Sequence, residues 1–446
     1  MAGVRSKKTV AKSCPLLAHS PFLEDYMLNI ARLRPLAGLA MFAALASASA
    51  VAQKGDDNQD DRDSREIKHV FVIAMENHNW TQPTQVPGDI QQIYQNPNAP
   101  FINSLVNGTA VAWIDGKAVN ISKHTAYAMS YHNVLATQSG NNQHIHPSEP
   151  NYIWAEAGTN FGIANDDDPY KDNPPNAQNT TQHLTALLQK AGRTWKSYQE
   201  DIDLATVNGK LTNVPAPKSE WTVPLKSFSG VFDANSLLNA YSDSLQYNYA
   251  AKHNPMVFFA DTNGGNNPST SNPLRFNYAP LQQLQFDLDN NEVADYVWIT
   301  PNQYNDQHTA LSAGFAGVTG DAAKIKQGDN ALARLVPMIM SSKAYKDGGV
   351  IILWWDESED DGETNDNPDD FSHTIPEIVI SNLAHPNEAG LPYASPVDFT
   401  HSSDLRTMQE IFHVRAKGGN SPFLGDAANA TDLSDLFAPG VIPSLH

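Results

Sequence analysis

Four short apolar runs in this chain each stop abruptly at a carboxylate or an amide, and those stops are where chemistry would gather. His69-Val70-Phe71-Val72-Ile73-Ala74-Met75 ends in Glu76-Asn77, and Met256-Val257-Phe258-Phe259-Ala260 ends in Asp261. Tyr296-Val297-Trp298-Ile299-Thr300 ends in Pro301-Asn302, and Val350-Ile351-Ile352-Leu353-Trp354-Trp355 ends in Asp356-Glu357. Glu76, Asn77, Asp356 and Glu357 offer hard oxygen donors, and Asp306 with His308, just beyond the third run, adds a carboxylate and an imidazole. That set suits one or two divalent metal cations. Each acid taken singly reads equally well as a helix cap or a solvated turn residue, so the argument for a metal lies in their joint placement.

A candidate nucleophile stands in His144-Ile145-His146-Pro147-Ser148-Glu149-Pro150-Asn151-Tyr152. Pro150 is placed to open a helix that continues through Ile153, Trp154 and Ala157. There Ser148 overlies helix-terminal N–H groups, which bind a phosphoryl oxygen and favour an alkoxide; the bland reading is a plain N-cap. His144-x-His146 has the spacing of strand-borne metal ligands but lacks a partner set, and reads as structural. In Asp356-Glu357-Ser358-Glu359-Asp360-Asp361-Gly362 the glycine falls one place too late for an EF-hand, so beyond Glu357 this is read as a solvated acidic loop.

What must position these residues is a sheet. Near-continuous apolar runs suit strands covered on both faces, which predicts an α/β three-layer sandwich with a mainly parallel central sheet. In such a sheet, ligands bind outside the carboxyl ends of the strands, where the acids lie. Helical patterns alternate with the runs. Asp329 is placed to cap a helix carrying Leu332, Leu335, Val336, Ile339 and Met340 and closed by Gly348-Gly349. A second is marked by Leu184, Leu187 and Leu188, and a third by Leu405, Met408, Ile411 and Phe412 after Ser402-Ser403. Residues 205–235 and 262–290, rich in Asn, Pro, Gly and Ser, read as long loops or small insertions.

With 446 residues, 41% of them hydrophobic, the chain can bury a large core. Its formal charge of −20 argues against nucleic acid or an anionic membrane as a standing partner. From Met27, the order Arg32, Arg34, apolar Leu36 to Ala46 and small residues to Ala52 has the form of a signal peptide over 27–52, cleaved near Ala52 into a secreted or periplasmic product. A short anchor helix that is never cleaved is the alternative. Residues 1–26 read as an upstream extension ahead of a start at Met27, 53–66 as a polar linker, and 67–446 as a single catalytic domain. Loss of the prefix would remove Cys14, the only cysteine, leaving catalysis to oxygen and nitrogen groups. No later run approaches the ~20 apolar residues of a membrane span, so stable membrane insertion is not expected.

The string Ile73-Ala74-Met75-Glu76-Asn77-His78-Asn79-Trp80, with His146-Pro147-Ser148-Glu149-Pro150-Asn151-Tyr152, resembles the phosphoesterase family that holds secreted bacterial and fungal acid phosphatases and bacterial phospholipases C. Further matches follow in order: Trp195-Lys196-Ser197-Tyr198-Gln199-Glu200-Asp201, Thr300-Pro301-Asn302 leading to Asn305-Asp306-Gln307-His308, Trp355-Asp356-Glu357, and His401-Ser402-Ser403 leading to Leu405-Arg406-Thr407. The resemblance implies an alkaline phosphatase-like fold. It also implies metal on Glu76, Asn77, Asp306, Asp356 and Glu357, attack on phosphorus by Ser148, catalytic parts for His308 and His401, and substrate contacts from Asn151 and His373. Two departures stand out: Ser372-His373-Thr374-Ile375-Pro376 replaces the Asp-His-Val-Pro of many phospholipase relatives, and Glu357 stands where some relatives have a second Asp.

The function expected is hydrolysis of phosphate monoesters through a phosphoseryl intermediate, phosphoinositides being candidate substrates. A chain ending near residue 446, without the long C-terminal extension of many phospholipase relatives, favours this over phospholipase C action on phospholipid diesters. A third reading is a non-enzymatic, secreted acidic domain that binds metal or sugar, which requires Ser148 and the strand-end acids to be unrelated.

Overall fold

Residues 66–85, 88–133, 145–360, 372–387, 389–419 and 421–445 are described by a computed structural model. The expected extension, the signal segment, Cys14 and His144 lie outside them. Three of the four apolar runs are strands: β1 (His69–Met75), β11 (Tyr296–Thr300) and β12 (Gly349–Trp355). Nearly every residue in them is buried, as expected of strands covered on both faces. They join β4 (Thr125–His132), β5 (Trp195–Gln199), β10 (Tyr278–Pro280), β13 (Glu377–Ser381) and β14 (Tyr393–Thr400) in an eight-stranded sheet of order β10-β5-β11-β1-β12-β13-β4-β14. Within this sheet only β13 runs against the rest. The carboxyl ends of all the others therefore open on one edge, and the sheet is mainly parallel as the patterns predicted.

Helices pack in two groups about this sheet. Ser148–Ala157, Leu184–Lys190 and His401–Ile411 touch one another, and Pro100–Asn107 and Leu284–Asp289 pack on Asp321–Ser341. The helix expected to start at Asp329 starts two turns earlier and carries Asp329 inside it. The Asp329 carboxylate instead accepts the N–H groups of Phe101 (3.1 Å) and Ile102 (2.8 Å), capping helix Pro100–Asn107, whose own flanking residue Ala99 has no side chain to do so.

The run Met256–Ala260 is not a strand. Pro255–Phe258 is a 3-10 turn and Ala260–Asn263 a single helical turn, although Met256 to Phe259 are wholly buried. A short apolar run satisfies either structure, and here side chains take the carbonyls that a ladder would have used. Thr262 Oγ1 donates to Met256 O (2.6 Å), and Asn263 Nδ2 to Val257 O (2.7 Å). The stretches 205–235 and 262–290 are also more ordered than loops. They hold the hairpin of β6 (Leu204–Val207) and β7 (Lys210–Pro215), and strand β8 (Phe228–Val231) paired with β9 (Gln246–Tyr249). Edge strand β10 and helix Leu284–Asp289 belong to the second stretch. A further hairpin joins β2 (Val111–Ile114) to β3 (Lys117–Asn120).

Asp261, no strand end and itself half-buried, closes a chain that runs to two buried groups. His183 Nε2 lies 2.9 Å from Asp261 Oδ1, and His183 Nδ1 lies 3.0 Å from Glu156 Oε2 on the Ser148 helix. Burial lowers the His183 pKa, but the hydrogen bonds to Asp261 and Glu156 outweigh it and hold the imidazolium above its ordinary range. The stabilisation is thus fully present below the unfolded value of about 6.5 and is lost as pH rises through the higher folded value. His183→Gln should lower Tm most at about pH 5.5 and least at about pH 9. A pH-independent loss would show that the His183 charge plays no part.

Candidate active site

The register of β1 against β12 pairs Met75 with Trp355, so the next residues, Glu76 and Asp356, lie side by side where the strands end. The turn after Glu76 needs Asn77 at φ 25°, in the left-handed region that asparagine tolerates better than most residues. That turn aims the Asn77 N–H at Asp356 Oδ1 (3.0 Å) and its Nδ2 at Glu357 Oε1 (2.9 Å). Ser148 is the first residue of helix Ser148–Ala157, delivered from the β4 side. Its hydroxyl lies 3.1 Å from Glu76 Oε2, 3.2 Å from Glu357 Oε1 and 3.5 Å from Asn77 Oδ1. Asn151, one turn on, directs Nδ2 to Ile145 O (2.7 Å) and Glu357 Oε2 (3.4 Å), and its Oδ1 is buried without a partner among the described residues.

The third strand end adds Asp306, whose carbonyl accepts the Glu76 N–H (2.8 Å). Between Glu76 and Asp306 stands His253, its Nε2 3.1 Å from Glu76 Oε1 and its Nδ1 3.4 Å from Asp306 Oδ2; both contacts are close but neither has hydrogen-bond alignment. Tyr152 stacks on the His253 ring (5.1 Å between centroids) and donates its hydroxyl to Glu76 Oε1. His308 gives its main-chain N–H to Asp306 Oδ1 (2.8 Å), with its ring 5.8 Å from that of His253.

Four acids are thus buried together, and their electrostatics are adverse. Burial first, then the charges of Asp356 and Asp306, push the Glu76 pKa well above the carboxylate range. Asp306 and Asp356 are raised likewise, mainly by burial, and Glu357 is raised by burial against the relief given by His146. Burial holds His253 well below its ordinary value and His308 at about 3, so both rings are neutral bases. Lys252 is the cation whose charge eases Glu76, Asp306, Asp356 and Glu357; its Nζ sits on Asp166 Oδ2 (2.8 Å) with 12% of the side chain exposed. An uncompensated buried charge costs several kcal/mol, more than one partly exposed ammonium can return to four acids.

The donor set fits a divalent cation. One ligand atom each from Glu76, His253 and Asp306 lie within 4.8 Å of one another, the only such group of three among the described residues. Asp306 Oδ2 and Asp356 Oδ2 are buried and lack hydrogen-bond partners, although both are acceptors. Carboxylate oxygens with one imidazole are hard-to-borderline ligands of the kind such a metal takes.

The structure therefore assembles Glu76, Asn77, Ser148, Asn151, Asp306, Asp356 and Glu357, with His308 alongside. His401 stands one step back: its Nε2 lies 2.6 Å from the main-chain oxygen of Asp356, and its Nδ1 takes the Trp354 indole N–H (3.0 Å). Its expected catalytic part thus finds no ring nitrogen facing the cluster. His373 is buried beside the bridge between Thr81 and Thr374, where its carbonyl meets His132 Nδ1 (3.1 Å). Sequence reading missed Tyr152, Lys252 and His253, and read His146 as structural, whereas His146 Nδ1 lies 2.8 Å from Glu357 Oε2. The signal for His253 was Lys252-His253-Asn254-Pro255, ahead of the run misread as a strand.

A hydroxyl at a helix start, ringed by carboxylates able to hold a cation, is the equipment of metal-assisted ester chemistry. The chain belongs to the phosphoesterase family, whose family model matches residues 53–415. Among curated proteins it is similar to a probable acid phosphatase of Kluyveromyces lactis, 24% identical over 294 residues, 65% of this chain and 55% of that one. A phosphate-repressible acid phosphatase of Penicillium chrysogenum is 24% identical over 219 residues, 48% of this chain and 39% of that one. The chain thus spans about half or less of these fungal relatives. A phosphatidylinositol-3-phosphatase of Mycobacterium tuberculosis is 24% identical over 371 residues, 83% of this chain and 82% of that one. Among solved structures, a protein in the alkaline phosphatase superfamily from Vibrio parahaemolyticus gives a TM-score of 0.40 at 9% identity, covering 84% of this chain and 72% of that one. So remote a likeness says nothing about chemistry.

If the acids hold a cation, its removal should leave them dependent on protons. Their folded pKa values stand above the unfolded ones, so stability in chelator should be greatest at acid pH and fall as pH rises through the folded values. Excess divalent cation should restore about 2.7 kcal/mol at a free concentration a hundred times Kd. Thermal unfolding across pH, with EDTA or with Mn²⁺, measures this; coincident curves at alkaline pH would mean that the acids hold no cation.

Proposed function

We propose that this chain is an exported, metal-dependent phosphoester hydrolase that uses Ser148 as nucleophile and prefers phosphate monoesters. The observation that carries the reading is the Ser148 hydroxyl, 3.1 and 3.2 Å from carboxylates at the ends of two adjacent strands, at the first position of a helix. Glu76, Asp306, His253 and Asp356, with Asn77 and Glu357, would hold the cation. When bound, that cation supplies the positive charge that lowers the hydroxyl pKa and neutralises developing phosphoryl charge.

The side chains do the rest. The Ser148 proton passes to Glu76 or Glu357, both within hydrogen-bond reach, as Oγ bonds to phosphorus and the ester oxygen leaves. Water then attacks the phosphoserine, breaking the Oγ–P bond and releasing phosphate, with the proton returned to Oγ. His308, neutral and beside Asp306, is a base available to take the proton of that water and pass it to solvent, which balances the proton that the departing ester oxygen takes from solvent to become the alcohol. Asn77 and Asn151 keep Glu357 turned toward Ser148.

Monoesters are favoured because a dianion would answer a cation held by these acids better than a diester does. Fungal relatives named acid phosphatases, and a mycobacterial one named a phosphatidylinositol-3-phosphatase, support the monoester class and keep phosphoinositides among the substrates. Export rests on the signal-like segment alone. Among the described residues no helix is long and apolar enough to cross a membrane.

Ser148→Ala should keep the fold and metal affinity while kcat on a chromogenic monoester falls by about 10³ or more. Near-native turnover in that variant, or a phosphoenzyme mapped to another residue, would overturn the assignment. Compared at equal concentration, the monoester and a phosphoinositide should both exceed phosphatidylcholine in kcat/KM. The reverse order, with phosphocholine released, would make the enzyme a phospholipase C.

A further inference from the structure

Where β1 and β12 end, the main-chain carbonyls of Glu76 and Asp356 leave the sheet ladder, and a buried histidine meets each. His78 Nδ1 lies 3.2 Å from Glu76 O, and His401 Nε2 lies 2.6 Å from Asp356 O. Both rings are fully buried and each is braced from behind. His78 Nε2 lies 3.1 Å from Asp321 Oδ1, whose other oxygen takes the Gln91 N–H (2.9 Å). The His401 ring sits between the Trp354 indole and the Tyr131 hydroxyl, 2.8 Å from Nδ1, and Tyr131 in turn donates to Asp404.

Elementary donor and acceptor rules fix what these rings can do. An indole N–H only donates, so His401 Nδ1 is the acceptor and Nε2 carries the proton it gives to Asp356 O. A carbonyl only accepts, so in the contact with Glu76 O it is His78 Nδ1 that carries the proton, while Nε2 faces Asp321 Oδ1. Both nitrogens of each ring are engaged, so neither ring has one left to meet a cation or a substrate.

We propose that His401 and His78 are positioning residues, each fixing through one ring N–H the carbonyl of a strand-end acid and so the direction in which the Asp356 and Glu76 carboxylates leave the paired strand ends. The inference rests on the reading that these acids hold a cation. It replaces a direct catalytic part for His401. Groups of this kind, one bond removed from the ligands, govern metal affinity because they set ligand orientation before the metal arrives.

The two rings use different nitrogens, which gives a crossed test. A Gln amide nitrogen reaches the place of Nε2, and an Asn amide nitrogen that of Nδ1. His401→Gln and His78→Asn therefore keep the donor to the carbonyl, whereas His401→Asn and His78→Gln lose it. Full-length, chelator-treated protein is titrated with Co²⁺, followed by its visible absorption, after circular dichroism shows each variant folded. The variants that lose the donor should bind Co²⁺ about 10- to 100-fold more weakly, and those that keep it should stay close to wild type. Equal loss in both variants at either position, or no loss in any, overturns the proposal. Should a variant that loses the donor not fold, the donor-keeping variant at that position is read alone, and a tenfold loss of Co²⁺ affinity in it overturns the proposal there. A folded wild type that takes up no Co²⁺ overturns the metal reading, and this inference with it.

Discussion

Repulsion among buried carboxylates is the constraint around which this molecule is arranged. In-register pairing of β1 and β12 makes Glu76 and Asp356 neighbours, and Asp306 and Glu357 complete the set. Taking such charges out of water costs several kcal/mol each. The surroundings answer with directed donors: the Tyr152 and Ser148 hydroxyls on Glu76, the Asn77 N–H on Asp356, and His146 and Asn77 on Glu357. These donors are too few for full charge, and the deficit is the strongest physical argument for a cation. A set of acids that is costly without a cation is well ordered to receive one.

The central strands were legible because burial on both faces leaves an unbroken apolar run, and β1, β11 and β12 end where the run ends. The same signal failed at Met256–Ala260, since a run of that length is apolar for a buried turn as much as for a strand. That error hid His253: a rule that looks beyond the carboxyl end of a strand points to Asp261, whereas the useful side chain precedes the run. Asp329 was misplaced because a carboxylate within a helical pattern looks like the cap of its own helix, and only tertiary structure shows that it caps another. The β6–β7 hairpin and strand β8 in 205–235 were illegible because β6 and β8 are short and largely exposed, leaving little alternation to read.

Ser148 shows the difference between a motif and its setting. Its helix start was readable from Pro147 to Tyr152, and helix-terminal N–H groups were expected to wait for a phosphoryl oxygen. One of them is engaged: the Glu149 N–H donates to Asp166 Oδ1 (3.1 Å), whose other oxygen takes Lys252. A carboxylate thus ties the helix start to the ammonium that eases the acids. The helix is held in place through the same loop that holds the local positive charge, a coupling no spacing along the chain would disclose.

Strand β14 runs straight into helix His401–Ile411, with Thr400 and Ser403 forming the capping box at the junction. Its pairing with β4 changes register at an irregularity between Ser395 and Asp398, after which Thr400 sits opposite His132. Residues on the two sides of that irregularity are therefore set independently. Changes of length in the turn before Tyr393 can be taken up at the bulge without moving the His401 ring, whereas a single inserted residue between Asp398 and His401 would rotate the helix start and present Thr400 or Ser402 to the Asp356 carbonyl instead. Tolerance to insertion should thus change sharply within a few residues of one strand, which makes this short stretch the place where drift in chain length is separated from the geometry of the site.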